Sequence, residues 1–561
     1  MLVSEFGEEK MTVTKKSRLL AGFVSVFAVS LIGPVWGQET LVRAGVEVGS
    51  PDFGVPVVPD LVLSPAQRKL KDAIDTAGPA AGVLADYYAA HNYHPVWTDT
   101  RRTVFLAALD KVADHGLPES RYNRAELVAL AQDGDPVVAE LAFSRAFLTY
   151  GRDINSGLLE PRSIDRDLHV DPHRPDQVAL LEGLAATDDP VEYLVALEPA
   201  HADYQKLRAE KRRLEALIRA GGWGERIAPG RTLRPGQSAP RVVEMRARLS
   251  AMDGIDYGTD PAYDEALVAV VKAFQLRHGL NDDGVAGPKT LEALNASVED
   301  RLWQVLVNLE RQRWLNFERG SRHVYVNQAD FSVSLIDNGE VTFWSRTVIG
   351  KNKHRTQEFT DSMTHMVVNP TWHVPRSIAT KEMLPRLKRN PQALGGSMQI
   401  MTRNGTRINP ALVDFRQFNT RNFPFIVKQR PGRSNALGRV KFMFPNQFNI
   451  YLHDTPAKSL FNKDTRAYSH GCVRVQEPFE FAYALLSRQA SDPQGTFQAA
   501  LNTGRERQID LETPVPVYLT YQSAWVDNFG VPQYRGDIYG RDARVSDALK
   551  AAGVTPGSVE G

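Results

Sequence analysis

The sequence predicts a multidomain α+β protein: an all-α scaffold, a three-helix module inserted into it, and a β-rich domain that carries a lid insertion. Three observations carry that prediction. Apolar residues recur at helical spacing from Ser64 to about residue 220, a separate helical pattern begins at Thr232, and at His323 the hydrophobic period changes from helical to two. A chain of 561 residues is long enough for several such cores.

Residues 1–37 have the three-part form of a signal peptide: Lys15, Lys16 and Arg18, an apolar run from Leu19 to Ile32, then a short stretch ending at Gly37. An uncleaved membrane anchor competes with that reading, although Gly22, Ser25, Ser30 and Gly33 dilute the run. Either reading puts the body of the protein outside the cytoplasm. Residues 38–61, rich in Gly, Pro and Val, read as a linker.

The scaffold is expected over 62–231. Ser64-Pro65 has the form of an N-cap followed by proline at the first helical position, and Leu70, Ile74, Leu84, Tyr87 and Tyr88 supply apolar positions behind it. In 232–297, Val242, Met245 and Leu249 form one stripe and Leu267, Val271 and Phe274 a second, before a Gly-Pro loop and a short third helix. A helix in 298–321 returns to the scaffold.

The β-rich domain is expected over 322–545, with a tail at 546–561. Val324, Val326, Val333 and Leu335 alternate with polar residues up to Asp337-Asn338-Gly339-Glu340, a strong hairpin signal. Between 373 and 440 the strand pattern lapses into a segment with 13 Lys or Arg against only Glu382 and Asp414. The whole chain has a net charge of +1, so this is a local concentration of positive charge. It lacks the regular aromatic interleaving of a nucleic-acid surface, and its position suits a lid over a carboxylate-bearing substrate. No nucleic-acid partner is expected, and membrane contact only through the N-terminal segment.

Cys472 is the only cysteine, and it lies in Tyr468-Ser469-His470-Gly471-Cys472-Val473-Arg474. A lone cysteine most often fills a core gap. In an exported chain, however, a single thiol has no intramolecular disulfide partner, so it is either hidden or used. Upstream, Tyr451 and His453 alternate with Ile450 and Leu452, which puts the tyrosine and the histidine on one face of a strand. A histidine base and a thiol are the ingredients of a cysteine nucleophile, and amides around Gly471 and Cys472 are candidate oxyanion donors.

Other chemistries find less support. No histidine is followed by glutamate, so there is no HExxH zinc site; no serine precedes a lysine by three; and Pro478 stands where a Cys-x5-Arg phosphatase loop needs arginine. A zinc site of His453, His470 and Cys472 is compatible with spacing alone. No cofactor is expected.

Two resemblances sharpen this reading. Phe274-Gln275, Asp283-Gly284 and Gly287-Pro288-Lys289-Thr290 make residues 232–297 similar to peptidoglycan-binding-like three-helix domains, which implies possible contact with glycan. His453 with Ser469-His470-Gly471-Cys472-Val473-Arg474 resembles the signature of the L,D-transpeptidases. Asn369-Pro370-Thr371-Trp372-His373-Val374-Pro375 and Lys441–Asn446 resemble the large periplasmic branch of that family, which joins a helical scaffold, a wall-binding insertion and a catalytic domain with a lid.

The resemblance implies roles for these residues. Cys472 matches the nucleophile that attacks the third residue of a tetrapeptide stem and releases D-alanine. His453 matches the base. His470 is expected to orient or polarise the site, and Tyr451 to hold the imidazole or serve the oxyanion site. Ser469 and Gly471 are expected among the substrate-binding and oxyanion residues with Tyr451, and Arg474 either holds a substrate carboxylate or braces the turn. An amine from a neighbouring stem then gives a 3→3 cross-link, whereas water gives a carboxypeptidase. An inert wall-binding scaffold and a sortase-like transpeptidase are the other readings.

Overall fold

The computed structural model describes residues 63–556. The expected signal peptide (1–37) and linker (38–61) lie outside the described residues. Among the described residues no helix is long and apolar enough to cross a membrane.

The first helix, Pro65–Ala77, begins as the sequence suggests. Ser64 accepts from the Gln67 amide while the Gln67 side chain reaches back to the Ser64 amide, a reciprocal capping box that satisfies two otherwise orphaned donors. Helices up to Ala202–Arg219 follow and share one core, which includes Tyr88, Phe105, Phe143, Phe147, Leu181 and Leu214. Helix Val298–Trp314 re-enters this core after the three-helix module, and it is buried from Val305 to Trp314.

That burial takes charges with it. Glu310 and Arg313 are both fully buried and pair at 2.7 Å. Glu310 also accepts from the Leu159 amide at 2.7 Å and the Trp314 indole at 2.9 Å, and Arg313 donates to the His115 carbonyl at 2.7 Å. A buried ion pair is tolerable when its remaining hydrogen-bonding capacity is met in this way.

The inserted module has its own core of Val242, Met245, Leu249, Leu267, Val271 and Phe274. Its signature residues hold the third helix in place. Buried Gln275 donates to Asp283, to the Val285 carbonyl and to Thr290, and it accepts from the Gly284 amide.

The β-rich domain contains a nine-stranded mixed sheet. In spatial order its strands are Ala467–Ser469, Glu340–Gly350, Val473–Val475, Leu452–His453, Val440–Met443, Phe359–Val368, Arg507–Thr520, Arg322–Asn327 and Ser332–Asp337. The long 340–350 strand also pairs with 332–337 across the two-residue Asn338-Gly339 turn, so the sheet closes on itself. Val440, Phe442, Leu452, Val473 and Val475 form one apolar core with helices Pro478–Leu486 and Pro493–Asn502; Phe481 packs on Phe343 and Phe442.

Two features differ from the sequence reading. The lid region is a folded subdomain, with strands Trp372–His373, Met398–Met401 and Ile426–Gln429 around Leu387, Phe415, Phe423 and Val427. Residues 546–561 were expected as a tail, yet helix Arg541–Ala551 spans that boundary. Its Val545 and Leu549, one helical turn apart, are buried in the scaffold core together with Ala524, Tyr534 and Val554. The chain after Thr520 thus returns to the scaffold.

Truncating Glu310 to alanine strands the Arg313 guanidinium without its counter-charge, and is expected to cost about 3–5 kcal/mol in chemical denaturation. The paired change Glu310→Leu with Arg313→Met is expected to cost less than Glu310→Ala alone. A larger cost for the pair contradicts this account of the scaffold core.

Candidate active site

The site is built by two very short parallel strands. Val473 pairs with Leu452 and Arg474 with His453, and the Val473 amide donates to the Tyr451 carbonyl at 3.1 Å. Partners across a ladder share a face and side chains alternate along each strand, so this register puts Tyr451, His453, Cys472 and Arg474 on one face. Leu452, Val473 and Val475 take the other face, in the apolar core. The neighbouring strand adds Lys441, which pairs with His453 and places its ammonium 5.8 Å from the centre of the Tyr451 ring.

Cys472 follows a turn whose amides are already partly committed. The Gly471 N–H donates to the Ser469 hydroxyl at 3.1 Å, and that hydroxyl donates to the Cys472 carbonyl at 2.5 Å. Ser469 therefore clamps the turn from the buried side. Gly471, expected among the oxyanion donors, has its N–H occupied there; its φ of 116° is one that favours glycine. The Cys472 amide makes no such bond within the turn.

The thiol is only partly exposed, and it donates to the Asn449 carbonyl at 3.5 Å. Burial pushes its pKa up to about 11, against the opposing pull of Tyr451, Arg474 and Lys441. His453 is buried, and its Nδ1–H donates to the Asp454 carbonyl at 2.5 Å, which puts the lone pair of the neutral ring on Nε2. Burial, reinforced by the Arg474 charge, pushes its pKa down to about 3. The resting pair is a neutral thiol and a neutral imidazole, with no hydrogen bond joining them.

Arg474 makes an unusual neighbour. Its Nε is buried without a hydrogen-bond partner, and burial lowers its pKa with only Cys472 opposing. No hydrogen bond from its side chain braces the turn.

His470 departs from the expected arrangement. Instead of turning to the thiol, it meets the lid, with Nε2 at 2.5 Å from Glu382 and 3.4 Å from Lys351 Nζ, and its ring centre 4.8 Å from that of His354. Zinc ligation by His453, His470 and Cys472 finds no support, because among the described residues no three His, Cys, Asp or Glu side chains form a group able to hold a metal ion.

Sequence reasoning missed Lys441, Asn449 and Glu382. Lys441 lies in a stretch already singled out, so strand pairing alone would have added it. The other two carry no local signal.

Comparison with known proteins matches three segments of the chain. Residues 321–516 match the family described as "L,D-transpeptidase catalytic domain", residues 82–210 that described as "Scaffold domain", and residues 238–294 that described as "Putative peptidoglycan binding domain". A Haemophilus influenzae protein named "Putative L,D-transpeptidase" is 32% identical over 253 residues, covering 45% of this chain and 50% of that protein. The match thus spans about half the length of that relative. Among solved structures, an L,D-transpeptidase from Mycobacterium smegmatis shares 10% identity, over 36% of this chain and 58% of that chain, at a TM-score of 0.17. One from Xylanimonas cellulosilytica shares 14%, over 52% and 99%, also at 0.17. Scores this low place no residue. The family matches fall on the helical core, on the three-helix module and on the closed sheet that holds Cys472, and the segment 321–516 is similar to the L,D-transpeptidase catalytic domain.

Proposed function

We propose that the protein is an exported, periplasmic L,D-transpeptidase that joins peptidoglycan stem peptides through a thioester on Cys472. The observation that carries this reading is the single face shared by the only thiol, a buried imidazole whose Nδ1 is held by a carbonyl, a tyrosine hydroxyl and a guanidinium whose buried Nε has no partner. The matched domain supports it.

In the first half-reaction the thiol proton passes to His453 as sulfur attacks the carbonyl of the third stem residue. The oxyanion forms beside Tyr451 and the Cys472 amide, and the bond to the terminal D-alanine breaks as its nitrogen takes the proton. An acceptor amine then attacks the thioester, the C–S bond breaks and sulfur recovers a proton. A neutral imidazole is the form that can accept the first proton, so its depressed pKa fits the role.

Arg474 is assigned to a donor carboxylate, since a half-buried guanidinium whose buried Nε has no partner is relieved when an anion meets it. Such an anion also offsets the positive charge that disfavours protonated His453, so binding strengthens the base. The lid supplies further charge: Arg386, Arg389, Arg403, Arg407, Arg416, Arg421 and Arg430 are exposed, in keeping with attraction of a carboxylate-rich polymer. The inserted module is assigned to wall contact.

With a tetrapeptide donor and an amine acceptor, dimer formation is expected and is lost in Cys472→Ala. Release of D-alanine without dimers would replace transfer by hydrolysis, and dimers made by Cys472→Ala would end the assignment. Arg474→Gln is expected to raise KM for the donor about tenfold or more; an unchanged KM contradicts the carboxylate role. Because the thiol pKa is pushed up to about 11 and His453 down to about 3, the thiolate is scarce at neutral pH. Alkylation of the free enzyme by iodoacetamide is expected to climb about tenfold per pH unit from pH 6 to 9 without a plateau. A plateau near pH 7 would mean a preformed thiolate–imidazolium pair.

A further inference from the structure

We propose that Thr356, far from the cysteine motif in sequence, is a positioning residue that aims the Cys472 amide at the oxyanion and links that amide to the C-terminal segment. The carbonyl of Gly471 and the N–H of Cys472 belong to one planar trans peptide unit, so they point in opposite directions and fixing one fixes the other. Thr356 Oγ1 donates to the Gly471 carbonyl at 2.8 Å and accepts from the Gly350 amide at 3.0 Å. A hydroxyl has one proton, and with both contacts made its direction is set.

The alternatives in the turn are occupied. The Gly471 N–H is held by Ser469, and the Cys472 carbonyl accepts from the same hydroxyl. Turning the 471–472 peptide would break the Thr356 bond and leave a buried hydroxyl without its acceptor, an uncompensated loss. The free N–H of Cys472 is thereby left facing away from Thr356 as the turn's available donor.

Thr356 is itself fully buried and held on its other sides by residues that follow the last strand of the sheet, which ends at Thr520. Its amide donates to the Tyr539 hydroxyl at 3.3 Å, and its carbonyl accepts from Arg541 Nη2 at 2.8 Å. The Tyr539 hydroxyl donates to the Gly350 carbonyl at 2.5 Å, and fully buried Arg541 pairs with Glu358 at 2.9 Å. Gly350 cannot gain a side chain, because a Cβ would lie 2.0 Å from the His354 carbonyl oxygen. Residues 350–358 therefore form a tight staple between the Cys472 turn and helix Arg541–Ala551, which lies in the scaffold core.

The proposal rests on Cys472 as an acyl-forming nucleophile, and two reagents separate the two ideas. Acylation by p-nitrophenyl acetate passes through an oxyanion; alkylation by iodoacetamide does not. In the full-length Thr356→Val protein, kcat for the ester is expected to fall about 100-fold with KM within about twofold. Alkylation is expected to stay within about twofold of wild type, and Thr356→Ser to restore acylation. Tyr539→Phe, a milder disturbance of the staple, is expected to show the same split at several-fold. Normal acylation of Thr356→Val, failure of Thr356→Ser to restore it, or a parallel fall of acylation and alkylation overturns the role of Thr356. A wild-type protein that the ester does not acylate contradicts the function proposed above as well.

Discussion

The pairing of 452–453 with 473–475 is the constraint on which the rest of the site depends. It spans only two residue pairs, yet it decides which side chains meet the thiol. A slip of one residue would carry Tyr451 and His453 into the apolar core and Leu452 to the thiol. Burial of Leu452, Val473 and Val475 on the opposite face makes that slip costly, so hydrophobic packing enforces the polar arrangement. The closed sheet and the two helices behind it hold this register.

The same economy governs charge. The site keeps a neutral thiol and a neutral imidazole beside two cations, Lys441 and Arg474, which burial disfavours. Such a pocket is poor at holding its own charge and well suited to receiving an anion. Binding of a carboxylate and generation of the oxyanion both place negative charge where the protein has already placed positive charge.

Much of the fold could be read from periodicity. The Ser64-Pro65 helix start, the Asn338-Gly339 hairpin and the common face of Tyr451 and His453 follow from neighbours a few residues apart. Long-range pairing could not be read. Thr356 meets Gly471 across 115 residues, and His470 meets Glu382 across 88, with nothing local to announce either. The lid core draws Leu387, Phe415, Phe423 and Val427 from irregular spacings, which hid a folded subdomain inside a Pro- and Arg-rich stretch. Val545 and Leu549, by contrast, carry an ordinary helical spacing that would have revealed the last helix.

The central claim is that Cys472 holds the donor as a thioester after its terminal residue has left. Intact-protein mass spectrometry on the enzyme mixed with a stem tetrapeptide, quenched in acid before an acceptor is added, tests it most directly. The account predicts an adduct equal to the donor less D-alanine, placed on Cys472 by peptide mapping and absent from Cys472→Ala. An adduct of the intact tetrapeptide, an adduct elsewhere, or its persistence in Cys472→Ala would contradict it.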